Sequence, residues 1–308
     1  MIKPKYPDLR NYIDPDTPTV KSDETSHEGY FVPEIIFTYG QPKSIIKKIL
    51  TLLPTILDTL RNVFKSYKSI RRNPGEASQL PGDGLFDDFK TLAIKLHCSS
   101  VGFTEIPTDM IFRNREILYK YAFVMTMEMR REAISRAPGR VAAGEVWRTY
   151  HELGRVVNRL AGFLRDRGYN AQAGPSLGGD TNYVRLAQKA GMGWTGRHGL
   201  LISPENGPCQ RIAVVYTDIS LPFTDSVDHA WIESFCSSCG RCVKKCPGNA
   251  IYQEYKKLDE GGRQYIDYKK CAVPFSQTLG CSVCIRECTF TKGSYDKIKA
   301  AFNAKAQG

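Results

Sequence analysis

Apolar residues recur at helical spacing through residues 42–72, and lysine and arginine fill much of the sequence between them. This pattern predicts an amphipathic helix with a basic polar face. Pro54 lies within it and is expected to mark a kink or the first turn of a second helix. We favour docking of the apolar stripe on the protein's own core, and binding to a membrane surface stays open as the alternative. Residues 1–40 show no sustained period, which predicts an extended arm over the surface.

Helical and extended patterns alternate through residues 85–220, which indicates a layered α/β or α+β domain. The predicted helices cover residues 86–96, 142–167 and 180–190. The predicted strands cover residues 101–106, 121–127 and 211–217. Because the second strand is continuously apolar, we expect it to be buried on both faces of its sheet.

Four glycines crowd the segment that follows the third predicted helix: Gly191, Gly193, Gly196 and Gly199. Glycine has no side chain, so the backbone here is expected to press against a ligand or against another segment of the chain. The run is not a dinucleotide-binding fingerprint, since no strand leads directly into it and no helix follows it.

The cysteine spacing carries the strongest chemical signal in the chain. Eight of the ten cysteines form two runs near the C-terminal end, and the first run has the bacterial ferredoxin spacing and ends in Cys-Pro. In that spacing three thiolates bind one 4Fe–4S cluster and the fourth crosses to a second. The crossover rule assigns one cluster to Cys236, Cys239, Cys242 and Cys288. It assigns the other cluster to Cys246, Cys271, Cys281 and Cys284.

Zinc sites and disulfide bonds are the alternatives for the same cysteines. Structural zinc usually uses two separated Cys-x2-Cys pairs, and three cysteines at this spacing before Cys-Pro are unusual for it. We therefore predict two 4Fe–4S clusters. Oxygen-sensitive thiolate sites favour a reducing compartment, and the first residues carry no apolar export segment. We expect a cytoplasmic protein, with peripheral membrane contact through residues 42–72 as the open possibility.

Chain length and net charge exclude few fold classes and few classes of binding partner. The 308 residues suggest about two domains. The formal net charge of +11 suits nucleic acid, anionic lipid or an acidic electron donor. The sequence contains no recognisable nucleic-acid module and no run of about 18 apolar residues that predicts a membrane span.

Several segments together resemble the corrinoid-dependent reductive dehalogenases and their relative, epoxyqueuosine reductase. The segments are residues 122–129 followed by Ala137-Pro138, residues 163–171, and residues 190–208 running on into the strand that ends at Asp218. The cysteine runs follow at the expected place, so the resemblance covers about residues 85–295. The glycine-rich segment and the cysteine runs are the specific parts of it.

The resemblance implies an α+β architecture in which a nitroreductase-like cobalamin-binding domain precedes a ferredoxin-like domain with two clusters. The expected divisions are residues 1–80, 81–230, 231–295 and 296–308. It implies cobalamin as a cofactor beside the two 4Fe–4S clusters. It also implies a low-potential electron donor, such as ferredoxin or flavodoxin, and a small-molecule substrate.

The resemblance also suggests individual site residues. Tyr150 occupies the position of the dehalogenase tyrosine that gives a proton to the substrate, although it also lies on the core stripe of its helix. Asp180 falls where the epoxide reductase has an acidic residue, and it equally suits a helix N-cap. The implied cofactor-binding residues are Gly193, Gly196, Arg197, His198, Gly199 and Cys209. His198 has a purely structural role as its alternative.

Cys209 is the main departure from the dehalogenase pattern. It stands after Gly207-Pro208, where the dehalogenases carry an arginine that supports the proton-donating tyrosine, and this puts dehalogenation of the usual substrates in doubt. Cys209 is either a buried apolar residue or a thiol that faces the cobalt or the substrate.

Three functions follow as hypotheses. The first is a reductase that cleaves a carbon–halogen or carbon–oxygen bond with electrons passed through the two clusters to cobalt. The second is an electron-transfer, corrinoid-reducing or corrinoid-binding protein without a small-molecule substrate of its own. The third is an epoxyqueuosine reductase-like enzyme acting on tRNA, whereas the first two do not call for a nucleic-acid partner. The sequence predicts neither the substrate nor the oligomeric state.

Overall fold

The structure is a computed structural model that describes residues 6–29, 31–41, 46–224, 227–258 and 262–306. Its strands are β1 (Val20–Lys21), β2 (Ser100–Glu105), β3 (Glu116–Ile117), β4 (Tyr121–Glu128), β5 (Gln172–Gly174), β6 (Trp194–Thr195), β7 (Leu201–Ile202), β8 (Gln210–Thr217), β9 (Ile251–Lys257) and β10 (Arg263–Ile266). Its helices are α1 (Val32–Tyr39), α2 (Ile46–Lys68), α3 (Leu85–Lys95), α4 (Arg131–Ile134), α5 (Arg140–Arg165), α6 (Tyr183–Lys189), α7 (Trp231–Cys239), α8 (Arg241–Lys245), α9 (Tyr268–Thr278), α10 (Val283–Glu287), α11 (Thr289–Lys292) and α12 (Tyr295–Ala306). Short 3-10 turns cover Leu9–Tyr12, Ser69–Arg72 and Thr108–Met110.

A four-stranded antiparallel sheet in the order β2-β4-β8-β5 forms the centre of the fold. Strand β4 lies between β2 and β8, and its residues alternate between the two faces of the sheet. Phe123 faces one apolar cluster and Val124 faces another, and both side chains are fully buried. The expectation that this strand is buried on both faces is therefore confirmed.

Helices cover both faces of the sheet and give three layers. On one face α3 and α5 pack on the strands, and Phe89 of α3 stacks on Phe123 with ring centroids 4.0 Å apart. On the other face α6 contributes Leu186 and Ala187 to the apolar cluster. This mixed helix and strand fold agrees with the sequence prediction.

Helix α2 runs through Pro54 without a break, so no second helix begins there. It packs along α5 and buries Val63 and Tyr67, which confirms that the helix docks on the protein's own core. Its outer side leaves Leu57 and Phe64 about half exposed. The N-terminal arm was predicted to lie over the surface, but part of it belongs to the core, because Tyr6 is buried against Tyr67.

The cysteine-containing segments pack against one end of the layered unit. Helices α7 and α8 carry the first cysteine run, and Gly240 between them adopts the left-handed conformation that glycine favours. The β9–β10 hairpin separates this run from α9 and α10. Trp147 of α5 donates its indole hydrogen to the Leu279 carbonyl at 2.9 Å, which ties the two parts together. Within the described ranges, no helix has the length and apolar character needed to span a membrane.

Candidate functional site

The four cysteines of the first set lie close enough across the chain for their thiols to influence one another's pKa. Burial raises the pKa of the Cys288 thiol, and the nearby thiols of Cys236, Cys242 and Cys239 raise it further. The same neighbours act on one another, since Cys236 and Cys239 both add to the raised pKa of Cys242. These four residues are the set that the crossover rule assigns to one cluster.

The other four cysteines form a second set beside the first. Burial raises the pKa of the Cys271 thiol to about 12, with Cys281 and Cys246 adding to the shift. Burial raises the pKa of the partly buried Cys284 thiol, and the thiols of Cys271, Cys281, Cys242 and Cys246 raise it further. The two sets are therefore neighbours. In the described part of the chain, no three His, Cys, Asp or Glu residues are grouped as around one metal ion.

Each cysteine set borders a different part of the layered unit. Cys288 lies in an apolar cluster with Ile202 of β7 and Phe290 of α11. Cys284 packs against the apolar cluster that contains Tyr150 and Trp147 of α5. The second set therefore lies on the side of the molecule where Tyr150 is found.

Tyr150 lines a cavity of about 240 Å³ between α5, α6 and β8. The guanidinium carbon of Arg211 lies 3.7 Å from the centroid of the Tyr150 ring, which is the geometry of a cation–π pair. Both residues line the cavity, and Tyr150 itself is 7% exposed. The Nε of Arg211 is buried and has no hydrogen-bond partner among the described residues. The cavity therefore combines a phenol side chain with a positive charge.

Arg211 is a candidate site residue that the sequence analysis does not single out. The resemblance places an arginine at position 209, where this chain has a cysteine, but Arg211 lies two residues further along the strand. Arg211 lies in β8, and its guanidinium contacts the ring that the absent arginine was expected to support. The sequence feature that could have identified Arg211 is its positive charge near the start of a mostly apolar strand.

Asp180 is buried beneath the cavity and does not line it. Its carboxylate accepts a hydrogen bond from the Tyr67 hydroxyl at 2.6 Å, and the Tyr67 oxygen accepts one from the Tyr6 hydroxyl at 3.0 Å. Burial raises the pKa of Asp180 to about 7. The N-cap of α6 is Asn182, whose side chain accepts from the backbone of Arg185. The interpretation of Asp180 as the helix cap was therefore wrong.

Two of the four crowded glycines press against the chain itself. A Cβ on Gly193 would lie 2.2 Å from the Ile202 carbonyl oxygen, and one on Gly196 would lie 2.6 Å from the Ile202 side chain. Gly193 has a φ of +149°, which only glycine adopts without strain. The segment thus folds back as the β6–β7 hairpin. Gly199 differs, since it lines a second cavity of about 320 Å³ beside Tyr265.

Arg197 and His198 point away from the Tyr150 cavity. Arg197 donates to the Ser237 hydroxyl at 2.9 Å, next to Cys236 of the first cysteine set. His198 is 4% exposed, and its Nδ1 accepts from the Leu200 backbone. Burial lowers the pKa of His198 to about 4, so the ring is neutral near pH 7. The Nε2 of His198 is buried and has no hydrogen-bond partner among the described residues.

Cys209 is fully buried in the apolar cluster that also holds Tyr150. Its thiol lies 3.6 Å from the Thr291 hydroxyl, and burial raises its pKa. The residue does not line the Tyr150 cavity. Of the two sequence interpretations, the buried apolar role is the one that this environment matches.

Neither the Tyr150 cavity nor the cavity beside Tyr265 holds a whole corrinoid by itself, and the two share Asn182 and Val184 in their linings. Drug-sized ligands occupy roughly 300–1,000 Å³, and a corrinoid is larger than such ligands. The Tyr150 cavity and its neighbour hold about 240 and 320 Å³. Gly199 is the one predicted cofactor-binding residue that lines either of these two cavities. We therefore derive no chemical step through cobalt.

Comparison with known sequences agrees with the cysteine pattern. Residues 229–252 match the 4Fe–4S binding domain family. The chain is 32% identical over 187 residues to tetrachloroethene reductive dehalogenase of Desulfitobacterium hafniense, which covers 56% of this chain and 33% of that protein. It is 30% identical over 123 residues to epoxyqueuosine reductase of Listeria monocytogenes, which covers 37% of this chain and 31% of that protein. The chain spans about a third of the length of these curated relatives.

Comparison with solved structures concerns the fold. A catabolic reductive dehalogenase in complex with 3-bromo-4-hydroxybenzoic acid superposes with a TM-score of 0.68 at 18% identity, over 91% of this chain and 44% of that one. The resemblance to reductive dehalogenases and epoxyqueuosine reductases that the sequence predicted is confirmed. The mixed helix and strand fold with a ferredoxin-like 4Fe–4S segment is confirmed as well.

Proposed function

We propose that the protein is an iron–sulfur oxidoreductase that passes electrons through two 4Fe–4S clusters to a substrate reduced at the Tyr150–Arg211 cavity. The observation that carries this proposal is the Arg211 guanidinium 3.7 Å from the Tyr150 ring in a cavity wall. The same apolar cluster includes Cys284 of the second cysteine set. An electron route and a proton source therefore meet in one region.

The reaction class is reductive cleavage of a carbon–halogen or carbon–oxygen bond. For a halide, two electrons and one proton convert R–X into R–H and a free halide ion. The clusters supply the electrons, and Tyr150 supplies the proton from its hydroxyl. Arg211 stabilises the negative charge that develops on the Tyr150 oxygen, because a cation held over the ring is poorly screened in a buried site. Solvent returns the proton after turnover.

The eight cysteines have the right chemistry to hold the clusters. Thiolate sulfur is the usual ligand of a 4Fe–4S cube, and the mutual influence of the thiols within each set supports the assignment. We assign one cluster to each set, with the second set nearer to Tyr150. Cobalamin dependence and the nitroreductase-like character of residues 81–230 stay predictions from the family resemblance, as do the domain divisions at 80, 230 and 295.

The substrate class rests on the relatives. The curated names include a tetrachloroethene reductive dehalogenase and an epoxyqueuosine reductase, and the solved dehalogenase carries a bromophenol carboxylate. A cavity of about 240 Å³ suits a small halogenated compound better than a nucleoside within tRNA. We therefore place dehalogenation ahead of tRNA modification.

The second candidate is an electron-transfer protein with no substrate of its own. Exposed lysines on α8 and β9 favour it. Its donor is expected to be an acidic, low-potential protein such as ferredoxin or flavodoxin. Exposed lysines beside the clusters suit an acidic partner; they are Lys244, Lys245, Lys256 and Lys257. Cytoplasmic location stays a prediction.

Turnover by a Tyr150→Phe variant tests the proposal. The assay uses anaerobic protein, titanium(III) citrate as the reductant, and tetrachloroethene or 3-bromo-4-hydroxybenzoic acid as the substrate, with halide release as the readout. We expect the variant to lose about a hundredfold or more in rate, the usual contribution of a general acid. Its cluster spectrum should be unchanged. The matched control is Tyr183→Phe, which lines the same cavity but whose hydroxyl donates to the Pro175 carbonyl.

The outcomes separate the candidates. Equal rates for Tyr150→Phe and wild type would remove Tyr150 from the mechanism. Reducible clusters with no halide release, together with fast electron exchange with a reduced ferredoxin, would favour the electron-transfer protein.

A further inference from the structure

Arg197 is a buried cation in the loop of the β6–β7 hairpin. The residue is only 8% exposed, and an arginine buried without a counter-charge is costly. Two backbone hydrogen bonds close the loop around it, from Gly196 to the Leu200 carbonyl at 2.9 Å and from Gly199 to the Gly196 carbonyl at 2.8 Å. The backbone from which the Arg197 side chain extends is therefore fixed.

The guanidinium of Arg197 contacts a neutral partner. Its Nη2 donates to the Ser237 hydroxyl at 2.9 Å, and that hydroxyl donates in turn to the Glu233 carbonyl at 3.0 Å. The Glu233 carboxylate pairs with Arg263 at 2.6 Å instead. Among the described residues, no carboxylate forms an ion pair with Arg197. A hydroxyl does not neutralise a charge, so the buried guanidinium still needs an anion.

Cys236 of the first cysteine set lies beside Arg197. Burial raises the pKa of the Cys236 thiol to about 11, whereas the Arg197 backbone N–H and the Arg197 charge act in the opposite direction. Ser237, which accepts from the guanidinium, directly follows Cys236 in α7. Arg197 therefore approaches the first set with its backbone and with its side chain.

The surroundings of Arg197 fit a 4Fe–4S cube held by the first set. A cube held by four thiolates carries a net negative charge, and reduction makes that charge more negative. Such a cube is the anion that the buried guanidinium lacks. Nearby charge, hydrogen bonds to the sulfurs and solvent exposure are the features by which a protein sets the reduction potential of a cluster.

We propose that Arg197 is the counter-charge of the first cluster and raises its reduction potential. Reduction adds one electron, supplied by the low-potential donor, and a fixed cation stabilises the more negative product more than the oxidised cluster. A raised potential eases the loading of this cluster by the donor. The inference rests on the proposed iron–sulfur function, and this role differs from the corrinoid contact that the resemblance suggests for Arg197.

An anaerobic redox titration of the full chain with both clusters tests this role, followed by electron paramagnetic resonance. Arg197→Gln removes the charge and keeps an amide that can donate to Ser237. At the wild-type midpoint potential of the first cluster, we expect the ratio of reduced to oxidised cluster to fall about tenfold, which is a midpoint more negative by about 59 mV for one electron. The midpoint of the second cluster and the iron and sulfide content should not change.

Arg241→Gln is the matched control, since it also removes one arginine next to a ligand of the first set, Cys242. The Arg241 side chain is 49% exposed and lies 3.7 Å from Glu287, so solvent and this carboxylate already screen its charge. The control should leave the midpoint of the first cluster near the wild-type value. Arg197→Lys keeps the charge and should recover most of the shift.

The outcomes separate this inference from the proposed function. Two reducible clusters with the same midpoints in Arg197→Gln and wild type would overturn the counter-charge role and leave the proposed function standing. Equal shifts in Arg197→Gln and Arg241→Gln, or a shift that Arg197→Lys does not reduce, would also overturn it. The shift should persist when Cys284→Ser removes a ligand of the second cluster, and its disappearance there would contradict the assignment to the first. Protein that holds no iron or sulfide would overturn both proposals.

Discussion

Arg211 is the single residue on which the proposed chemistry depends most strongly after Tyr150. Its guanidinium covers the Tyr150 ring, and a desolvated cation–π pair is worth about 2 kcal/mol. We expect Arg211→Met to slow halide release by about tenfold while the cluster spectrum is retained. Arg211→Lys keeps the charge and should recover part of the rate. If the two variants turn over equally, the charge of Arg211 has no role.

Asp180 gives a pH-dependent prediction at the same scale. Its carboxyl has a pKa of about 7 in the folded chain because of burial, against about 4 in an unfolded chain. The folded state therefore binds the proton more tightly, and this raised pKa makes the free energy of unfolding fall as pH rises from about 4 to about 7. Above about pH 7 the free energy of unfolding lost through Asp180 is constant, and below about pH 4 Asp180 causes no such loss.

An Asp180→Asn variant isolates this effect, since asparagine still accepts from the Tyr67 hydroxyl. At pH 8 we expect it to be more stable than wild type by at most about 4 kcal/mol, because one pKa unit corresponds to about 1.4 kcal/mol. At pH 4.5 the difference should shrink. Urea unfolding at the two pH values measures it, with the exposed Asp83→Asn as the control. A difference that is the same at both pH values would contradict the raised pKa.

The sequence alone predicts some of these candidate site residues and does not predict others. Tyr150 was named because its spacing matched a known tyrosine position. Arg211 was not named, because its contact joins a strand to a helix 61 residues away in the chain, and no local pattern encodes that distance. Asp180 was misread as a cap because Asn182, two residues later, competes for the same role with the same kind of side chain.

Helix α5 joins the two halves of the molecule, and its glycines test how it packs. A Cβ on Gly144 meets no heavy atom within 4 Å, whereas one on Gly154 lies 3.0 Å from the Ser176 hydroxyl and 3.4 Å from Cβ of Asn62 in α2. We expect Gly144→Ala to stabilise the protein by about 0.5–1 kcal/mol through helix propensity. Gly154→Ala should destabilise it. Equal gains from both would show that α2 does not pack closely there.

The elements themselves were largely predictable, for a physical reason. Long amphipathic or continuously apolar stretches, such as α5 and β4, are specified by their own sequence, and their ends shifted by only a few residues. The glycine-rich segment behaved differently. Its crowding indicated close approach correctly, but the approaching group is Ile202 of the same hairpin. Closely spaced glycines indicate that another group lies close to the backbone, but they do not indicate whether that group is a ligand or another part of the chain.

At the scale of the whole molecule, the two cysteine sets make the two clusters separable. In the proposed assignment, Cys288→Ser removes a ligand of the first cluster, and Cys284→Ser removes one of the second. Each variant should lose about half of the iron and sulfide, because each cube is held by four thiolates. Since Cys284 lies in the Tyr150 cluster, its variant should lose halide release completely. Loss of all iron in both variants would indicate that the clusters are not independent.

The most direct measurement of the central claim is a single-turnover experiment. Protein with both clusters reduced is freed of excess reductant and mixed anaerobically with 3-bromo-4-hydroxybenzoic acid, while the cluster absorption and bromide are followed together. The account predicts that the clusters become oxidised as about one bromide per chain is released, since two electrons cleave one bond. The Tyr150→Phe variant should keep its clusters reduced. Bromide release without cluster oxidation, or clusters that stay reduced in the wild type with this substrate and with tetrachloroethene, would contradict it.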